Sequence, residues 1–254
     1  AVQFEKNART QALMKKTMVY PVMVALVAVM VVIVMLVVVI PRYMDMFGEL
    51  GVELPAITRA VVALSTWIRH FWFVIVPVVI GIVTALKAYA RTSSGRHLFG
   101  MLQRKLPAVG NLVVKSACAQ MARTLSTLRT AGVPMTEAVD IVADTMPNIW
   151  FKEALKDAVH QILIGVPLSQ PLQTSGLFPP MVYHMIHIGE ESGSTEEMLN
   201  KLADYYEEEV EIAVQSLMAV IEPMIIIVLA GIVGILIAAV MAPMVTMYNA
   251  LDNL

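Results

Sequence analysis

His184, His187 and Glu191 fall at i, i+3 and i+7, on one face of a helix. Two imidazoles and a carboxylate so placed form a donor set for a divalent transition metal. The spacing lacks the H-E-x-x-H pattern, so packed or surface histidines are the stronger reading and no metal is expected. Carboxylates carry the remaining chemistry. Glu190 and Glu191 precede Gly193 and Ser194 at a helix–turn–helix corner. Gly193 there supplies a left-handed C-cap, and the two acids are either solvated or gripped by a partner. Glu207, Glu208, Glu209 and Glu211 form an acidic run, ordinarily a solvated face. Its place at the mouth of an apolar run gives Glu209 a docking role as the functional alternative. Glu222 lies at the edge of that apolar run, where an ionisable group is a functional candidate by default. The competing reading is an interfacial acid near the headgroups, which costs little.

Absent motifs narrow the class. The sequence has no G-x-x-x-x-G-K-[ST] phosphate loop, no G-x-S-x-G, no H-E-x-x-H and no clustered cysteine. Neither an enzyme nor a bound cofactor is expected. The single Cys118 excludes an intramolecular disulfide and reads as a small buried apolar residue.

The elements that carry these residues are helices, and some belong in lipid. Of 254 residues, 58% are hydrophobic and only 15% charged, with a mean hydropathy of +0.72. That composition points to an integral membrane protein. A net charge of −2 leaves no footprint for binding nucleic acid directly. Ser194 and Glu197 have the S-x-x-E spacing of a capping box that opens a polar helix. That helix turns apolar with no break signal. From Ile221 to Met247 Glu222 is the one ionisable side chain, and nineteen uncharged residues separate Pro223 from Pro243. About twenty apolar residues at 1.5 Å rise cross a hydrocarbon core of roughly 30 Å. Pro21 and Pro41 bracket a second nineteen-residue uncharged run, at an offset of 202 from the first pair. The shared frame suggests duplication, so that the chain begins inside the last helix of a first copy.

Basic residues set the expected orientation. Lys6, Arg9, Lys15 and Lys16 precede the first apolar run, and Lys87, Arg91, Arg96, Arg104 and Lys105 follow the second. The positive-inside rule puts these flanks in the cytoplasm. The chain then reads as residues 1–18, the end of a first cytoplasmic helical domain; 19–40, a membrane helix; 41–70, an extracytoplasmic loop; 71–90, a second membrane helix; 91–220, a cytoplasmic domain; 221–248, a third membrane helix; and 249–254, an extracytoplasmic tail.

Residues 91–220 have helical punctuation. Val109–Ala131 ends at Gly132, and Pro134 opens Met135–Thr145; Asn148–Ile164 ends at Gly165, and Pro167 reopens the chain. Gly after a helix and Pro at the next start is the expected asymmetry. Ala138, Ile141, Val142 and Thr145 recur at three and four. Pro179-Pro180 opens another helix that ends near Gly193. The expected fold is an all-α integral membrane protein, with three transmembrane helices and one cytoplasmic antiparallel bundle of about six helices. A small transporter or channel subunit is the alternative function, but no charged residue lies mid-span to serve a pathway.

An ordered set of short motifs runs through this frame. It comprises Arg123-Thr124-Leu125, Ala131-Gly132-Val133-Pro134, Phe178-Pro179, Gly189-Glu190-Glu191-Ser192-Gly193, Tyr205-Tyr206-x-x-Glu209-Val210-Glu211 and Glu222-Pro223. Tyr20-Pro21 precedes the first apolar run, and Glu53-Leu54-Pro55 with Thr58 lies in the loop. In this order they resemble the inner-membrane platform proteins of type IV pili and type II secretion, the PilC/GspF family, from the end of its first cytoplasmic domain onward. Ser192 departs from the threonine frequent there but keeps the hydroxyl. The resemblance implies a non-catalytic, multi-pass inner-membrane hub, and the basic flanks put its C-terminus outside. It implies a cytoplasmic assembly ATPase, pilins or pseudopilins and other inner-membrane assembly proteins as partners, and self-association in lipid. Glu190, Glu191, Glu209 and Glu222 are the expected partner contacts; Gly132, Pro134, Gly165, Pro167 and Gly193 are the expected structural corners.

Overall fold

The computed structural model describes residues 19, 22–24, 26–39, 41–42, 56–105 and 109–251. The domain end expected at 1–18, the Tyr20-Pro21 and Glu53-Leu54-Pro55 motifs and the last residues of the tail, 252–254, lie outside them. Every regular element among the described residues is helical. An apolar helix over Val22–Val34 widens into a π-turn at Met35–Val39. The remaining helices are α1 (Ala56–Arg91), α2 (Ser93–Lys105), α3 (Val109–Thr130), α4 (Met135–Thr145), α5 (Ile149–Leu163), α6 (Ser169–Ser175), α7 (Pro180–Ser192) and α8 (Thr195–Leu251).

Local signals explain most of these boundaries. Gly132 and Gly165 take φ of 82° and 86°, and Gly193 takes 69°, the left-handed backbone expected after a helix end. Pro134 sits at the N-cap of α4 with φ −55°, and Pro180 sits at the first position of α7. Asn148 caps α5 through its side chain, which accepts from the backbone N–H of Trp150. Gly176 ends α6 in the same left-handed way, a corner that the Gly-x-Pro pattern does not predict. The capping box is different in detail. The Ser194 hydroxyl lies 2.6 Å from that of Ser192, and Glu197 pairs with Lys201 at 2.7 Å.

Part of the connection expected over 41–70 is helical. Its residues from Ala56 onward are already helical, and α1 runs 36 residues without interruption into the second apolar run. No Gly or Pro occurs between Ala56 and Val76, so nothing in the chain stops the helix there. Pro77 lies inside it.

Leu86–Leu217 form one compact unit; Met218 onward, with the described residues before Leu86, form the other. In the first unit, α3 to α7 and the start of α8 enclose a single apolar core. Met121, Leu125, Phe151, Leu155, Ile186 and Leu202 are fully buried in it. Each such side chain contributes about 1.5–3 kcal/mol relative to exposure. Phe151 meets Phe178 edge-on at 5.2 Å. In the second unit, Val61 and Val62 pack with Leu236 and Ala239, against Val32 and Met35. The Thr58 hydroxyl donates to the Ala239 carbonyl at 2.7 Å, pinning the start of α1 to the far part of α8.

Helix α8 has 57 residues, about 85 Å at 1.5 Å per residue. It passes Pro223 and Pro243 without ending. Its early residues Leu199, Leu202 and Ala203 are buried in the first unit. Its later residues Met224, Ile226, Ile227 and Val228 are exposed. Among the described residues it is the one helix long and apolar enough to cross a membrane, and only 11% of its apolar window is buried.

Candidate functional site

The polar first third of α8 faces α3. Asn200, Asp204 and Glu207 are spaced i, i+4 and i+7, one face of a helix. Arg123 of α3 meets all three. Its Nη1 donates to Asn200 Oδ1 at 2.6 Å, and its Nη2 donates to Asp204 Oδ1. Its Nε and Nη2 hold the two oxygens of Glu207 at 2.7 and 2.8 Å, a bidentate pair. Arg123 is only 5% exposed, in a helix otherwise lined there by Cys118, Met121, Ala122 and Leu125. The bond to Glu207 raises the guanidinium above its usual range, and burial opposes it without prevailing. Two turns earlier on α3, Lys115 pairs with Glu209 at 2.5 Å; their side chains are 19% and 25% exposed. Between these contacts Tyr206 is buried, and burial pushes its phenol up. The two helices are thus clamped by charge as well as by apolar packing.

The α7–α8 corner is built as tightly. A side chain on Gly189 would meet Thr195 Cα at 2.9 Å and Met198 Cβ at 3.2 Å, so the helices touch through hydrogen alone. Glu190 reaches back across the fold. It accepts from the backbone N–H of Leu168 at 2.6 Å, the N–H of Ser169 at 3.3 Å and the Ser169 hydroxyl at 2.6 Å. The carboxylate caps α6, whose own N-cap Leu168 has no side chain able to do so. Glu191 points out, its side chain 71% exposed, 3.5 Å from His187. His184 lies against the Tyr183 ring instead. Among the described residues no group of three His, Cys, Asp or Glu side chains is gathered for a metal.

The four acids named as partner contacts therefore do not form one site. The corner at Gly193 separates α7, which carries Glu190 and Glu191, from α8, which carries Glu209 and Glu222. Glu190 and Glu209 are committed to α6 and Lys115, while Glu191 and Glu222 are exposed. Glu222 has no polar partner among the described residues. The sequence reading missed the Arg123 clamp. Its signal was available, since an arginine amid small apolar residues faces three polar groups at helical spacing. Leu163 and Ile164, 66% and 80% exposed beside Gly165, are a further unpredicted feature of the surface.

Comparisons with known proteins bear on this arrangement. The family described as "Type II secretion system (T2SS), protein F" matches residues 121–243, a span that holds the Arg123 clamp, the α7–α8 corner and Glu222. The type IV pilus assembly protein PilC of Pseudomonas aeruginosa is 40% identical over 247 residues, 96% of this chain and 66% of the relative. That of Thermus thermophilus is 38% identical over 249 residues, 98% of this chain and 61% of the relative. The type II secretion system protein F of Aeromonas hydrophila is 28% identical over 250 residues, 98% of this chain and 64% of the relative. The chain spans less than two thirds of the length of these relatives.

Proposed function

Because this chain belongs to the PilC/GspF family of type IV pilus and type II secretion proteins, we propose that it serves as an inner-membrane platform of such a system. In this reading a cytoplasmic assembly ATPase acts on the unit Leu86–Leu217, and pilins or pseudopilins are met in the membrane. The observation that carries the proposal is α8. One unbroken helix starts in the core of the first unit, is clamped by Arg123 and Lys115, and continues through an exposed apolar run. Motion imposed on the unit is carried along α8 into the membrane. The role is non-catalytic; the platform self-associates and also meets other inner-membrane assembly proteins.

The topology proposed with it has three spans, over 19–40, 71–90 and 221–248, with the antiparallel bundle 91–220 inside and the C-terminus outside. Impermeant thiol labelling of intact cells tests it. A cysteine at Ala60 should label and one at Thr92 should not; the reverse pattern overturns the orientation. The native Cys118 does not compete, because it is fully buried and burial pushes its thiol up to about 12. Partner binding is read by pull-down of the system's motor ATPase on the full chain. Glu191→Ala, exposed and peripheral to the fold, should weaken capture. Retention of the motor by chains lacking any accessible Leu86–Leu217 surface would sink the reading.

A further inference from the structure

A cleft of about 430 Å³ lies where the end of α1, the helix α2 and the α4–α5 corner meet. Ala90, Arg96, Phe99, Gln103, Ile149 and Lys152 line it, a mixture of polar and apolar groups, and so does the acid Asp144. Its shape is fixed by two close approaches. A side chain on Gly95 would strike the Tyr89 carbonyl oxygen, and one on Gly100 would meet Trp150 Cδ1 at 3.0 Å and Asn148 Oδ1 at 3.1 Å. Asn148, itself 5% exposed, ties the corner down by donating to the Gly100 carbonyl at 3.2 Å. Trp150 adds a bond from its indole N–H to the His97 carbonyl at 3.3 Å.

Charge and position select the ligand. Between Lys87 and Lys105 the sequence has Lys87, Arg91, Arg96, Arg104 and Lys105 and no acid. Arg96 has no carboxylate partner among the described residues, although it lines the cleft. Lys152 is shared with Asp144 at 2.9 Å, and Asp144 is also held by Lys156 at 3.2 Å, so the cleft stays net positive. Ala90 lies four residues past Leu86, the end of the apolar run of α1, or about 6 Å along the helix. That is the depth of lipid phosphates, where a lining of mixed polar and apolar groups suits a headgroup with its first methylenes.

We infer that this cleft binds the phosphodiester headgroup of an anionic phospholipid. Arg96 and Lys152 face the phosphate, Gln103 offers an amide to the headgroup's polar end, and Phe99, Ile149 and Ala90 take the glycerol. The inference rests on the reading that α1 spans the membrane with its basic end inside. It places a lipid between the membrane and the helices that hold the clamp, so that the unit is seated on an anionic surface.

Native mass spectrometry of the full chain in detergent, titrated with phosphatidylglycerol or phosphatidylcholine, tests it. The wild type should retain phosphatidylglycerol in preference. Arg96→Glu should weaken that retention about tenfold, whereas Arg104→Glu, the same charge change on the same helix, should alter it less than about twofold. Both variants alter exposed side chains, and circular dichroism checks that each remains folded. Equal losses in the two would mean diffuse surface charge and would overturn the site. No preference between the lipids would overturn it as well, and displacement by millimolar inorganic phosphate would assign the cleft to a free anion. The measurement involves neither motor nor pilin, so its failure leaves the platform reading standing. A wrong topology shows in the thiol labelling and not here.

Discussion

At the scale of single residues, burial decides which charges are structural. Arg123 is the clearest case, since removing it takes away the cation that holds both oxygens of the mostly buried Glu207. Breaking a buried pair from one side costs about 3–5 kcal/mol. Arg123→Ala should lower the thermal midpoint of the full chain in detergent sharply, and Arg123→Lys should recover only part, because an ammonium cannot hold two oxygens in a plane. Exposed pairs behave otherwise. Asp144 is held below its ordinary value, first by the hydrogen bond from Lys152 and then by that from Lys156. A depressed carboxylate contributes stability above its unfolded value and loses it as pH falls through the folded one. The melting temperature of Asp144→Asn should therefore fall less steeply than that of the wild type from about pH 5 to 3, with the difference shrinking in molar salt. Composition could not sort Glu190 and Glu209 from Glu191. All four named acids are alike in sequence, and only the fold shows which meets a backbone N–H or a lysine. Substituting Glu190 consequently reads the capping of α6 before it reads any partner.

At the scale of elements, glycine and proline made most of the helix ends legible. The Gly-x-Pro corners at Gly132 and Gly165 state a positive φ and a fresh start within three residues, which no other pattern mimics. Their cost is purely backbone, since a Cβ at either position meets nothing within 4 Å. Gly132→Val and Gly165→Val should each destabilise by about 1–2 kcal/mol in thermal unfolding. Gly189→Ala should behave differently. Its backbone is ordinary helix, yet the added methyl strikes Thr195 and Met198. It should loosen the α7–α8 corner and expose it to protease, which a pure backbone effect would not do. The start of α1 was illegible for the opposite reason. Mixed charges from Arg42 to Arg69, with Gly51 and Pro55 among them, read as a connection throughout, but no stop signal follows Ala56. Periodicity at three and four gave the apolar core only in part: of Ala138, Ile141, Val142 and Thr145, the first and third are fully buried, whereas Ile141 and Thr145 are exposed and Val139 and Ala143 fill the core instead.

At the scale of the whole molecule, Glu222 tests whether α8 transmits anything. Composition announced the long helix, because polar and apolar halves join with no Gly or Pro between Thr195 and Glu222. Glu222 sits at that join, within the helix, where the backbone N–H groups are already bonded and offer the carboxylate no relief. Pro223 follows and leaves one carbonyl of the preceding turn without its donor, which softens the helix at this point. A carboxylate beside lipid is costly unless it meets a cation or carries a proton. Its exposure along α8 leaves it open to a base on a neighbouring helix. Glu222→Gln keeps the shape and removes the charge. Under the proposed role it should leave protein level and membrane insertion unchanged and reduce filament assembly, read by immunoblot and by counting filaments. Glu222→Asp, which keeps the charge on a shorter stem, should restore part of the assembly. Normal filaments with Glu222→Gln would make the acid an interfacial residue with no role in transmission, and the coupling would then have to run through the apolar contacts of Leu236 and Ala239 alone.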